Sequence, residues 1–246
     1  MMRTVYLFMI ILVFTTSCKK SSVSDCFNST GPLTTIERPI TGFHTLILKD
    51  NINLVLVSSN KNHLTIEAGN NLLPKIITEV SDSVLTIQNN NSCNWVRNYN
   101  SPITAYLNFT KLDTIEYRSI GNINSPDTIH IENLMINVTE GAGEISFIVN
   151  ASVLHCNIHY GTADIKMKGK SNVCYIYSAS FGLINNLELS TDFVYLNNRS
   201  SNDVYVKANK VLGVTIENIG NVFYKGNPYD ISLNQTGTGQ LIKLED

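Results

Sequence analysis

The sequence predicts an all-β chain: a single-stranded, right-handed parallel β-helix with coils of roughly 18–22 residues and an irregular N-terminal cap. Three observations carry that expectation. The polar share falls on Asn, Ser and Thr, which favour turns and ladders, while charged residues make up only 15% of the 246 residues. Apolar residues alternate with period two, not at the i, i+3, i+4 spacing of an amphipathic helix. A short Gly-punctuated segment returns about every twenty residues.

From the N-terminus, residues 1–17 (Met1 to Ser17) read as a secretory signal peptide. Arg3 precedes an apolar run from Val5 to Phe14, which is too short to span a bilayer and is followed by small residues. The end of this segment, Thr15-Thr16-Ser17-Cys18, resembles the lipobox of bacterial lipoproteins, with Thr15 where a Leu is usual. That resemblance implies acylation at Cys18 and a lipid-anchored protein of the cell envelope, in the outer membrane, with the leaflet open. Residues 18–35, beginning Lys19-Lys20-Ser21-Ser22, read as a polar tether, and 36–246 as one domain.

Within the domain, Leu46/Leu48, Ile52/Leu54/Leu56, Leu64/Ile66, Leu85/Ile87 and Ile129/Ile131 mark half-buried strands. The longer period appears on aligning residues 121–123, 143–145, 163–165, 182–184, 202–204, 220–222 and 239–241. The third column is Ile123, Ile145, Ile165, Ile184, Val204, Val222 and Leu241, with spacings of 22, 20, 19, 20, 18 and 19. The first column holds five Gly, one Ala and one Asn, which predicts a left-handed or otherwise tight backbone at each coil corner. A second strand per coil is expected at Cys156–Ile158, Cys174–Ile176, Val194–Leu196 and Leu212–Val214. Aliphatic columns should fill the interior and leave no lumen. A leucine-rich repeat has a similar period but needs an L-x-x-L-x-L frame, which is absent. A β-sandwich also suits strands at this spacing, and the Gly column favours the helix over it. Residues 26–110 are less regular and read as the first coils, with hairpin-like additions that cap them.

The segments Ile40-Thr41-Gly42-Phe43, Asp50-Asn51-Ile52-Asn53-Leu54, Asn70-Asn71-Leu72-Leu73-Pro74-Lys75-Ile76, Asp82-Ser83-Val84-Leu85-Thr86-Ile87, Ser119-Ile120-Gly121-Asn122-Ile123 and Thr236-Gly237-Thr238-Gly239 follow one another in order along the chain. Together they resemble the auto-transporter adhesin head GIN domain family of Bacteroidota. The resemblance covers residues 36–244 and implies a β-helical envelope protein.

Candidate chemistry is sparse. A net charge of -2 gives no basic face for nucleic acid. The middle alignment column holds Asn122, Glu144, Asp164, Leu183, Asp203, Asn221 and Gln240. Glu144 and Asp164 would lie about 4.8 Å apart on adjacent rungs, near the carboxylate separation of a retaining glycosidase. The competing reading is that corner Asp and Asn bond their own backbone. His155 and His159 share a strand face, without metal-ligand spacing. Cys156 and Cys174 read as buried thiols in equivalent places one coil apart, and Cys26 with Cys93 as a disulfide near the cap. Tyr175, Tyr177, Tyr195 and Tyr205, with Tyr224, form a prospective outward ladder for a glycan or protein ligand, against ordinary cross-strand packing. Trp95 should pack the cap. The expected function is a non-enzymatic, lipid-anchored protein that presents a rigid β-helical surface for adhesion or ligand binding, with no cofactor. The alternatives are a β-helical hydrolase or lyase using Glu144 and Asp164, and a purely structural envelope component.

Overall fold

A computed structural model describes residues 29–92 and 102–245. Cys18, Cys26, Cys93 and Trp95 fall outside the described residues. The period-two segments become β1 (Leu33–Arg38), β2 (Thr45–Asp50), β3 (Ile52–Ser58) and β4 (His63–Gly69). A 3-10 turn at Leu73–Lys75 then leads into β5 (Ile76–Ser81), β6 (Val84–Asn89), β7 (Ile103–Phe109) and β8 (Thr114–Ser119). Long strands follow: β9 (Ile123–Gly141), β10 (Glu144–Ile158), β11 (Asp164–Ser178), β12 (Ile184–Asn198) and β13 (Val204–Ile216). The stack closes with β14 (Val222–Lys225), β15 (Asp230–Gln235) and β16 (Leu241–Lys243). No α-helix occurs among the described residues.

The chain is the parallel β-helix that the repeats predict, with β9 through β14 and then β16 stacked in parallel. Each long strand makes two faces of a coil. In β10 the buried positions run 145, 147, 149 and 151 and then 154, 156 and 158, so the inward parity switches once, at a corner near Asn150–Ser152. The aligned aliphatic column exists as expected. Ile123, Ile145, Ile165, Ile184, Val204 and Val222 pair rung to rung, and all are fully buried. Aliphatic side chains from both faces fill the interior as one cluster.

Unequal repeat lengths are absorbed as bulges. The 22-residue step contains Pro126, which cannot donate to the ladder, and the register shifts between Ser146 and Ile148. Ser125 Oγ accepts the Ile148 N–H there at 3.0 Å. Buried Asn186 plays the same part for the Met167 N–H, also at 3.0 Å, next to the shift in the β11–β12 pairing.

The corner glycines are needed for a reason other than the one expected. Of the aligned column only Gly143 has a positive φ, +153°. What fixes the column is close approach: a Cβ built on Gly182 would lie 2.0 Å from the Ala163 carbonyl oxygen, and one on Gly220 2.1 Å from that of Asn202. The corners at Gly121, Gly182, Gly220 and Gly239 therefore rest directly on the backbone of an earlier coil, while Gly143 lies closest to the Tyr117 hydroxyl and the corners at Ala163 and Asn202 have room for a Cβ.

The N-terminal end is covered by antiparallel strands. β4 pairs with β7 and β1 with β4 on one face, while β5 pairs with β6 on the other. Stack ends expose unpaired edges, and these strands cover the first coils. The sheet starts inside the segment assigned to the tether, since Leu33, Thr34 and Thr35 already pair with Gly69, Ala68 and Glu67. Buried Asn89 and Asn91 tie the cap to the first coil. Asn89 Nδ2 donates to Asn51 Oδ1 at 2.6 Å, and Asn91 Nδ2 donates to the Leu72 carbonyl at 3.0 Å.

Candidate functional site

The corner column that held the candidate carboxylates is an inter-coil ladder. The Asn53 side-chain oxygen accepts the Asn122 N–H at 2.9 Å, and Asn122 Oδ1 accepts the Glu144 N–H at 2.9 Å. Further along, Asp164 Oδ1 takes the Leu183 N–H at 2.9 Å, Asp203 Oδ1 the Asn221 N–H at 2.8 Å and Asn221 Oδ1 the Gln240 N–H at 2.9 Å. Each side chain thus caps the next coil's backbone, not its own as expected. Amide and acid serve equally because only an acceptor oxygen is required. Glu144, one methylene longer, leaves the ladder and pairs with Lys166 Nζ, which raises the Lys166 pKa. Leu183 has no acceptor, and the ladder skips a rung there.

Other surface charges pair in the same inter-coil fashion. Lys168 meets Glu188 at 3.0 Å, Arg199 meets Glu217 at 3.1 Å and Lys210 meets Asp192 at 2.7 Å. The Lys210 ammonium holds the Asp192 carboxyl below its ordinary range. Among the described residues no group of three His, Cys, Asp or Glu side chains converges to hold a metal ion, and no helix is long and apolar enough to cross a membrane.

The aromatic candidates divide. Tyr175 and Tyr195 are direct rung neighbours on the outer side of the second face. Their ring centroids lie 5.6 Å apart with planes inclined by 22°. His155 continues the stack below Tyr175, at 4.8 Å and 18°, and burial lowers its pKa. Above Tyr195 the column passes to Gly213 and then Ser232. Tyr177 stands one column over, in the series Asn137, Asn157, Tyr177, Asn197, Thr215 and Asn234. Asn157 Nδ2 donates to Asn137 Oδ1 at 2.9 Å, and Tyr177 interrupts this amide ladder. The two columns border an open groove of about 490 Å³.

Tyr205 does not join this group. It lies on the first face, between Asn185 and Phe223, and stacks on Phe223 at 4.9 Å. Tyr224 points inward beside Val206 and is buried. Sequence reasoning missed Gly213, Thr215 and Asn234, and it read His155 as a strand-face histidine without placing it under Tyr175; a strict shift of 20 residues from Tyr195 through Tyr175 would have led there. The two described cysteines are free and buried, but they are not equivalent. Cys174 pairs with Leu154 and Cys156 with Ile176, so they occupy adjacent inward columns. The hydrogen-bonded Cys156 thiol, together with burial, pushes the Cys174 pKa up.

These features define a parallel β-solenoid whose corner polar groups are committed to a coil-to-coil ladder and which carries an open groove beside the Tyr175/Tyr195 stack on its second face. The chain belongs to the family described as putative auto-transporter adhesin, head GIN domain, matched over residues 42–228. No curated protein matches it. Among solved structures it resembles a putative adhesin from Bacteroides fragilis, with 20% identity, a TM-score of 0.79, and coverage of 87% of this chain and 97% of that one. A putative adhesin from Parabacteroides distasonis gives 19%, 0.67, 87% and 98% in the same order. A protein from Parabacteroides distasonis described as a putative lipid binding protein gives 19%, 0.65, 88% and 98%. At these identities the likeness establishes the fold.

Proposed function

We propose that this chain is a lipid-anchored envelope protein, acylated at Cys18, that presents its solenoid as a non-catalytic surface for adhesion or ligand binding. One observation carries the reading: the corner carboxylates that would have to catalyse are engaged with backbone N–H groups or with Lys166, while the aromatic groove faces solvent. General acid–base chemistry needs a positioned proton donor and acceptor. The ladder places Asn122, Asn221 and Gln240 at the same rung position as Glu144, Asp164 and Asp203. Membership of an adhesin-like family supports an envelope location. The binding surface is the groove with Tyr175, Tyr177 and Tyr195; Tyr205 is left out because it stands on the other face. Cys26 and Cys93 are proposed to bridge near the cap, which an oxidising envelope compartment permits.

Two measurements test the reading. Mass spectrometry of the mature chain from its host should show acyl groups on Cys18, and Cys18→Ala should leave a precursor that no longer partitions into detergent. An array of immobilised glycans should retain the mature chain, with less retention for Tyr175→Ala or Tyr195→Ala. An unacylated mature chain would remove the anchor. An array that retains nothing would favour a purely structural role.

A further inference from the structure

The groove has a chemistry and a repeat that narrow its ligand. Its two walls are the column Tyr175, Tyr195, Gly213 and Ser232, and the column Asn157, Tyr177, Asn197, Thr215 and Asn234. Its floor is the column of the buried Ile176, Leu196 and Val214, continued by Leu233, which is 46% exposed. No Asp, Glu, Lys, Arg or His lines it. The nearest charges, Arg199 and Glu217, are paired with each other at 3.1 Å; Arg199 Nη1 also donates to Tyr177 Oη at 3.4 Å, and Glu217 accepts from Asn197 Nδ2 at 2.7 Å. Both charges at the groove's edge are thus already engaged.

The aromatic wall is accessible where the stack ends: Tyr175, 41% exposed, has a ring stacked on either side and presents its edge, while Tyr195, 40% exposed, has its far face unstacked. The next rung is Gly213, which adds no side chain. A Cβ there would sit 2.9 Å from Tyr195 Cδ1, so the Tyr195 ring leans over the glycine. The opposite wall carries one neutral polar side chain per coil; Asn157 Nδ2 is bonded to Asn137, Tyr177 Oη accepts from Arg199 and Asn197 Nδ2 donates to Glu217, so Thr215 and Asn234 are the groups most open to a ligand. Rungs repeat at about 4.8 Å, so the five span about 19 Å along the helix axis. That repeat is close to the length of one hexose unit in an extended glycan. A pyranose combines an apolar C–H face, which suits an exposed aromatic ring, with rim hydroxyls, which suit amides and hydroxyls.

Resting on the binding-surface reading above, we infer that the Tyr175/Tyr195 groove is a subsite for a neutral, linear polysaccharide that lies along the helix axis with one sugar facing each coil. The polar wall suits sugar hydroxyls better than a lipid chain, and the cation at its edge, Arg199, is already paired with Glu217.

The test is a length series. The mature chain is titrated with cello-, laminari-, malto- and manno-oligosaccharides of two to six units, and with oligogalacturonate as the charged comparison. At least one neutral series should bind one to one. Its affinity should rise with each added sugar and level off at about five units, the number of rungs in the amide wall. Tyr195→Ala and Thr215→Glu, both on the outer face, should each weaken the best ligand at least tenfold without changing the thermal unfolding midpoint. An affinity already complete at the disaccharide, preference for oligogalacturonate, indifference to both substitutions, or no neutral binding would each overturn the assignment. Retention of acidic glycans on the array would remove this inference and keep the surface reading. Hydrolysis of a bound glycan would remove both.

Discussion

Substituting Gly182 by Ala probes the corner packing directly. The added Cβ would stand 2.0 Å from the Ala163 carbonyl oxygen, against an ordinary van der Waals approach of about 3.4 Å. The corner must lift by about 1 Å or more. Two bonds cross that corner: the Ile165 N–H to the Leu183 carbonyl at 2.8 Å, and the Leu183 N–H to Asp164 Oδ1 at 2.9 Å. Lengthened by an ångström, both leave the hydrogen-bonding range. Each buried group left without a partner costs about 1–3 kcal/mol, and overpacking adds about 1–3 kcal/mol. The expected loss is roughly 3–9 kcal/mol. The assay is denaturant unfolding, with Gly42→Ala as the control, since nothing lies within 4 Å of a Cβ at Gly42. Gly182→Asn separates two explanations. Asn tolerates a left-handed backbone, so it would rescue a conformational requirement but not a steric one. If Gly182→Ala unfolds within 1 kcal/mol of the parent chain, or Gly182→Asn is tolerated where Ala is not, close approach is not what selects this glycine.

Further outcomes follow from the same geometry. Asp203→Ala should cost about 1 kcal/mol by removing the acceptor of the Asn221 N–H, and Asp203→Asn should restore it; equal losses in the two would speak against the ladder. Burial pushes the Tyr117 pKa up from 10.0 to about 12 while its hydroxyl donates to the Gly121 carbonyl at 2.7 Å. The folded value lies above the unfolded one, so this stabilisation is complete below pH 10 and is lost as pH rises toward about 12. Unfolding of Tyr117→Phe across that window should lack this part of the loss, and parallel curves would refute the assignment. Cys156 and Cys174 should resist thiol reagents until the stack opens, and labelling on mixing would contradict their burial.

Much of the fold was legible because a solenoid writes its period into the chain. Ile145, Ile165, Ile184, Val204 and Val222 must each face the core at the same point of a coil, so their spacing survives in sequence. The cause of the Gly column was not legible, because close approach and positive φ select the same residue. The second face was harder to read. The β10–β11 pairing keeps one unshifted step of 20, so matching Cys156 to Cys174 over 18 residues was two residues out. Register shifts in the β12–β13 pairing then shorten the step to 18 at Gly213, so no single spacing reads the whole His155–Tyr175–Tyr195–Gly213 column, and Tyr205 was drawn into the wrong group. Tyr224 was misassigned because an aromatic ring suits either side of a strand. The ladder of corner carboxylates was legible as turn chemistry, but its partner in the next coil follows only from the register.

The measurement that bears most directly on the central claim is release of reducing ends, or of unsaturated products, from a panel of purified polysaccharides by the mature chain. The account predicts none above background, including for any glycan the groove retains. Turnover of any glycan that disappears in Glu144→Gln/Asp164→Asn would contradict it, because those carboxylates would then be acting on substrate instead of holding one coil to the next.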